Sequence, residues 1–185
     1  MKKVVLLATC LLVCVGFANA QKFKPTPDFL KGEKEINVVF DFSKVTYDGD
    51  AQSKYYKKKN KAWIEEWEGK RRTDIANTFI SNINEELTGT DVNAGEYPDA
   101  KYTIIVDVID CDFGSYAGPL SVPAKLQCNI RIVKTGSTTA MATVALKEKQ
   151  SSMTTIATPI DFDRMFLSFG EMGEKLGEIL IKILK

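Results

Sequence analysis

Leu126, Cys128, Ile130 and Ile132 alternate with Lys125, Gln127, Asn129 and Arg131. A period of two fits a β-strand with one buried side and one wet side. Thr135-Gly136-Ser137 turns the chain after it, and Thr138 to Lys147 predicts a strand folding back. Upstream, Lys101 to Phe113 (KYTIIVDVIDCDF) is the longest strand candidate. Its apolar residues fall on both sides, which predicts a central place in the sheet. A three-strand meander with a greasy face needs other elements to cover it.

The remaining segments supply those elements. Ile36, Val38, Phe40 and Phe42 share one face of a predicted strand over 35–42, and Asp48-Gly49-Asp50 is a turn signal. Residues 51–88 read as helix in two pieces. The second carries the stripe Trp63, Trp67, Arg71, Ile75, Phe79, Ile83, Leu87, with a kink expected at Gly69 and Arg71-Arg72. Thr88-Gly89-Thr90 ends it, and a short strand is expected at 90–93. Residues 148–160 are rich in Ser and Thr and lead to Pro159; Asp161 or Asp163 is the expected cap of a last helix. That helix has the stripe Phe162, Met165, Phe166, Phe169, Met172, Leu176, Leu180, Ile183. Its glycines, Gly170, Gly173 and Gly177, each cost ~1 kcal/mol against alanine, so a close helix approach is expected to compensate. The expected class is α+β: one twisted, mainly antiparallel sheet in the order strand, helix, three or four strands, helix. Both helices are expected on one face.

The segments AKYTIIVDVIDCDFG, IRIVKTGSTTAMATV and FGEMGEKLGEILIKIL carry a resemblance. Over residues 35–185 the layout resembles that of secreted and lipoprotein bacterial envelope proteins whose domain is similar to the amino-terminal domain of TolB. The resemblance implies an envelope or secreted module and transfers no catalytic residue.

The start of the chain agrees with that address. Met1-Lys2-Lys3, an apolar run from Val4 to Phe17, and Ala18-Asn19-Ala20 form the pattern of a secretory leader. Residues 1–20 are the expected signal peptide. The run is shorter than the ~20 apolar residues a membrane span needs. Lipidation at Cys14 is the alternative, and it would be the only route to a membrane. Removal of the leader leaves 165 of the 185 residues: a polar arm over 21–34 and a single domain over 35–185. Its balance is 23 basic against 24 acidic residues, which gives no global attraction for nucleic acid. The expected partner is a protein or glycan of the cell envelope.

The chain has no histidine. Ser-His-Asp and Cys-His nucleophile pairs, His-Glu zinc motifs and His-ligated haem are thereby excluded. No S-x-x-K, Walker loop, G-x-G-x-x-G or C-x-x-C occurs. No catalytic residue, cofactor or metal site is expected. The leading reading is a binding or assembly module. The alternative is a carboxylate-pair hydrolase acting on glycans, which requires two carboxyl groups ~5–10 Å apart.

Four groups of residues are candidates for more than packing. Cys111 and Cys128 become directly opposed if the hairpin also pairs Ile109 with Ile130 and Phe113 with Leu126, and a disulfide is expected in an oxidising compartment. Lys57, Lys58 and Lys59, interleaved with Tyr55 and Tyr56, form a basic patch that Glu65, Glu66 and Glu68 balance. Asp107, Asp110 and Asp112 lie in one strand; strict alternation puts Asp110 and Asp112 on a face that Asp107 does not share. The loop 114–122 offers Tyr116 and Leu120 on a glycine-bearing tip, the kind of place where binding function sits.

Overall fold

The structure, a computed structural model, describes residues 21–117, 122–149 and 160–185. The leader, Cys14, Leu120 and the stretch 150–159 lie outside the described residues.

Strand β1 (Glu35–Asp41) buries Ile36 and Val38 and is followed by two short strands, β2 (Thr46–Tyr47) and β3 (Asp50–Ala51). The helical region comes in pieces: α1 (Gln52–Tyr56), α2 (Lys61–Glu66), a wider π-turn over Trp67–Arg71, and α3 (Arg72–Glu86). Asn60 caps α2, its Oδ1 accepting from Trp63 N–H at 2.9 Å. The break falls at Gly69, whose φ of −93° and ψ of −105° are not helical, so the expected kink is present. The stripe survives it: Trp67, Ile75, Phe79, Ile83 and Leu87 are all buried. Strands β4 (Asn93–Gly95), β5 (Tyr102–Asp112), β6 (Lys125–Lys134) and β7 (Ala140–Lys149) follow, and α4 (Asp161–Leu184) closes the chain. Ile160, not an aspartate, takes the cap position of α4. Asp161 lies in its first turn and pairs with Arg164.

Among the described residues the strands form one seven-stranded sheet. β5, β6 and β7 are the antiparallel meander. β1 runs parallel to both β4 and β5, and β2 runs parallel to β5. The sheet is therefore mixed: most of its register pairs are antiparallel, and β1 and β2 add parallel pairing that the expected order did not include. The physical reason is the long helical crossover between β1 and β5. A tight hairpin returns the chain antiparallel, whereas a crossover brings it back in the same direction.

β5 also breaks alternation. Val106 faces Ile130 and Val108 faces Cys128, but the next rung joins Asp110 to Gln127, and the one after joins Cys111 to Leu126. Ile109 is the extra residue of a β-bulge. Before it the buried side chains are Ile104, Val106 and Val108; after it they are Cys111 and Phe113. The two-sided apolar pattern thus reflects a slip of phase within one half-buried strand.

Phe79, Ile130 and Leu176 belong to a common core, and Phe40 packs against it. Phe40 meets the rings of Phe79 (5.2 Å between centroids) and Phe169 (6.1 Å). The arm is docked: Phe23 and Leu30 are buried, and Lys24 exchanges backbone hydrogen bonds with Thr143 on the outer edge of β7. That contact covers part of an edge strand.

Candidate functional site

The sheet has unequal sides. Around Arg131 its polar side holds a depression of about 420 Å³, within the ~300–1,000 Å³ typical of ligand pockets. The fold makes room for it on one edge of β5. β1 pairs with β5 as far as Asp107, and β2 resumes at Asp110. Val108 and Ile109 have no strand beside them on that edge, and both line the depression. Asp41 closes β1, Ser43 and Lys44 belong to the link between the strands, and Asn129 and Arg131 project from β6.

The side chains there are held. Arg131 grips Asp107 with both Nε and Nη2, the latter at 2.7 Å from Oδ1. The pair is partly exposed, at 29% and 20%. The carboxylate keeps the guanidinium of Arg131 firmly protonated by hydrogen bonding. Asp41 accepts from Ser43 N–H at 2.8 Å. Hydrogen bonding to Ser43, side chain first and backbone second, holds the Asp41 carboxyl below its ordinary range. Asp41 and Asp107 are register partners on neighbouring strands, so two carboxylates do share this place. Sequence reading did not single out Asp41 or Arg131. Asp41 takes its neighbour from a strand 66 residues away, and no local pattern announces that.

The predicted residues are dispersed. Asp107, Asp110 and Asp112 lie on one side of β5, because the bulge shifts the phase between the first and the other two. This corrects the strict-alternation reading. Each carboxylate is already engaged: Asp107 by Arg131, Asp110 by the Thr46 hydroxyl, Asp112 by Lys125 at 2.8 Å and by Gly114 N–H at 2.9 Å. Among the described residues, no group of three His, Cys, Asp or Glu side chains gathers as a metal site.

Lys58 pairs with Asp50 at 2.5 Å, Lys54 pairs with the same carboxylate, and Lys59 sits over the rings of Tyr55 and Trp63 at 4.9 and 4.7 Å. Lys57 is exposed on the same turn. The basic patch is therefore largely spent on local pairing. Its aromatic partners belong to a packed cluster in which the Trp67 indole N–H donates to Tyr47 Oη at 2.9 Å.

Tyr116 is exposed at 48% and Val122 at 44%. The base of their loop is pinched by two backbone hydrogen bonds between Ser115 and Val122, at 2.9 and 2.8 Å. Gly114, with φ +64°, has Val122 O so near that any Cβ would collide. Buried Arg164 donates from Nε to Phe113 O at 2.9 Å and ties the loop base to α4.

Cys111 and Cys128 are buried free thiols. Phe113 does not pair with Leu126, nor Ile109 with Ile130; the bulge moves Cys111 opposite Leu126. The expected bridge is therefore not formed in this structure. The thiols lie on adjacent strands as diagonal, not facing, neighbours.

No protein-family model matches the chain, and the comparison with curated proteins finds no match. Among solved structures, the PelC dodecamer from Paraburkholderia phytofirmans aligns with 80% of this chain and 90% of its own, at 6% sequence identity and a TM-score of 0.41. A point-substituted PelC dodecamer from that organism aligns with 78% and 87%, at 6% identity and a TM-score of 0.36.

No helix among the described residues is long and apolar enough to cross a membrane.

Proposed function

We propose that the chain is an exported envelope module that binds a ligand or partner and performs no chemistry of its own. It resembles, on this reading, the envelope proteins whose domain is like the amino-terminal domain of TolB. The leader pattern of residues 1–20 supports export. The observation that carries the binding reading is the two-sidedness of the sheet. One face holds the core, with both long helices read as lying on it because Phe79 and Phe169 meet the same Phe40 ring. The other face offers fixed polar groups around a depression, presented on rigid strands.

A second reading has one observation in its favour. Asp41 and Asp107 share the depression, as the carboxylates of a glycan hydrolase would. Such an enzyme needs one carboxyl kept protonated near neutral pH. Here hydrogen bonding to Ser43 pushes Asp41 toward ionisation, and both oxygens of Asp107 are taken up by Arg131.

Release of reducing ends decides between them. The exported protein is incubated with purified envelope glycan, beside Asp41→Asn and Asp107→Asn. The binding reading expects no release above background. Release by the native chain that disappears in either variant would establish the hydrolase.

A further inference from the structure

The depression beside Arg131 has a composition that selects one class of ligand. Four charged groups line it, and they cancel: Asp41 and Asp107 against Lys44 and Arg131. A site with no net charge exerts little net long-range attraction on an anion or a cation. What remains is a dense set of short-range donors and acceptors. Arg131 and Lys44 donate, Asp41 accepts, and the Asn129 amide and Ser43 hydroxyl do both. Arg131 is oriented by its two bonds to Asp107, and Asp41 by the Ser43 N–H, so these groups are set before a ligand arrives. Part of the floor is apolar, contributed by half-buried Ile109 where the neighbouring strand is interrupted.

Donors and acceptors interleaved over a partly apolar floor match a ring that carries hydroxyls at its rim and C–H groups on its face. We propose that this depression is a binding site for an uncharged saccharide, one or a few rings of a neutral polymer. This rests on the binding-module reading above and gives it a ligand class. A phosphate or uronate would meet two carboxylates, one of them Asp41, whose hydrogen bond comes from the neutral Ser43 N–H. A cationic sugar would meet Arg131 and Lys44. The neutral ring avoids both conflicts and can use every polar group present.

The test uses the exported protein and three oligomers of equal length: the hexamers of N-acetylglucosamine (neutral), galacturonic acid (anionic) and glucosamine (cationic). Calorimetry reads affinity, and side-chain NMR reads the Asn129 amide and Arg131 guanidinium signals. The neutral hexamer is expected to bind most tightly and to move both signals. Asn129→Ala should weaken it at least tenfold. Lys44→Glu, on an exposed link, should turn the preference toward the glucosamine hexamer, which a mere loss of folding would not do. Melting curves of both variants confirm that they fold. The proposal is overturned if none of the three binds the native protein, if the galacturonate binds best, or if neither variant changes affinity or preference. Absence of binding without release of reducing ends removes the ligand class alone; release of reducing ends removes the non-catalytic reading beneath it.

Discussion

Cys111 stands opposite Leu126, and Cys128 stands opposite Val108. The two thiols are two rungs apart on adjacent strands, with the Asp110–Gln127 rung between them, and both are fully buried. Burial raises both thiol pKa values, with the neighbouring Cys128 adding to the rise at Cys111. Neither should react with iodoacetamide in the folded protein at neutral pH. Both should react once urea unfolds it, and reductant should leave the unfolding midpoint unchanged. Recovery of a Cys111–Cys128 peptide from non-reduced protein would show that the strands shift to allow a bridge.

Gly173 and Gly170 lie on the same helix but should behave differently. A Cβ on Gly173 would run into the backbone carbonyl of Phe79 on α3, which cannot retreat. At Gly170 it would meet the end of the Asn82 side chain at 3.1 Å, which can. Gly173→Ala should cost about 1–3 kcal/mol through overpacking. Gly170→Ala should be near neutral, with ~1 kcal/mol of helix propensity offsetting the tight contact. Urea denaturation of the two variants side by side checks the helix crossing. Equal effects would refute it.

Asp48 gives a pH signature. Loss of solvent around its carboxyl raises the pKa, although Phe113 N–H donates to it at 2.9 Å. A raised carboxyl means that the folded state takes up a proton first. Stability therefore falls as pH rises from the unfolded pKa through the folded one. Asp48→Asn cannot ionise, and asparagine also tolerates the φ of +51° found there. The variant should be more stable than the native chain above that window. The ionisation part of the gain should vanish below it. The gain should be small, because the residue is exposed. A pH-independent difference would mean that only the backbone term operates.

Tyr116 follows directly on the pinched base of the loop, with half its surface in solvent. Tyr116→Ser should change stability by less than ~0.5 kcal/mol. If this side chain also contacts a partner, the variant should lose that contact while saccharide binding at Arg131 stays intact. A drop in melting temperature of more than a few degrees would show that the ring packs on the domain instead.

Much of the architecture was readable because it is local. The alternation of Lys125 to Lys134 placed β6. The four-residue steps from Trp67 to Leu87 placed the buried face of the helical region, and Gly69 marked its break. The polar depression was not readable, because it is assembled from residues with no periodic relation. Asp41 meets Asp107 only through the parallel pairing of β1 with β5, and that pairing has no signature in either strand. β2 and β3, at two residues each, are too short to form a pattern. The bulge at Ile109 did leave a trace: Ile104, Val106 and Val108 keep even phase, while Cys111 and Phe113 keep odd phase. One inserted residue explains this as well as a two-faced burial does. Choosing the second explanation misplaced both the cysteine register and the aspartate faces.

The place of β1 sets the timetable of folding. It is the first long strand among the described residues to leave the ribosome, yet both its partners, β4 and β5, come more than fifty residues later. Its apolar face is closed in part by Phe169, on the last helix of the chain. The N-terminal half therefore has little to fold against until nearly all of the protein has emerged. Non-local pairing of this kind slows folding. A nascent chain halted before α4 should remain open to protease along β1, and completion of the final helix should protect the whole sheet in one step.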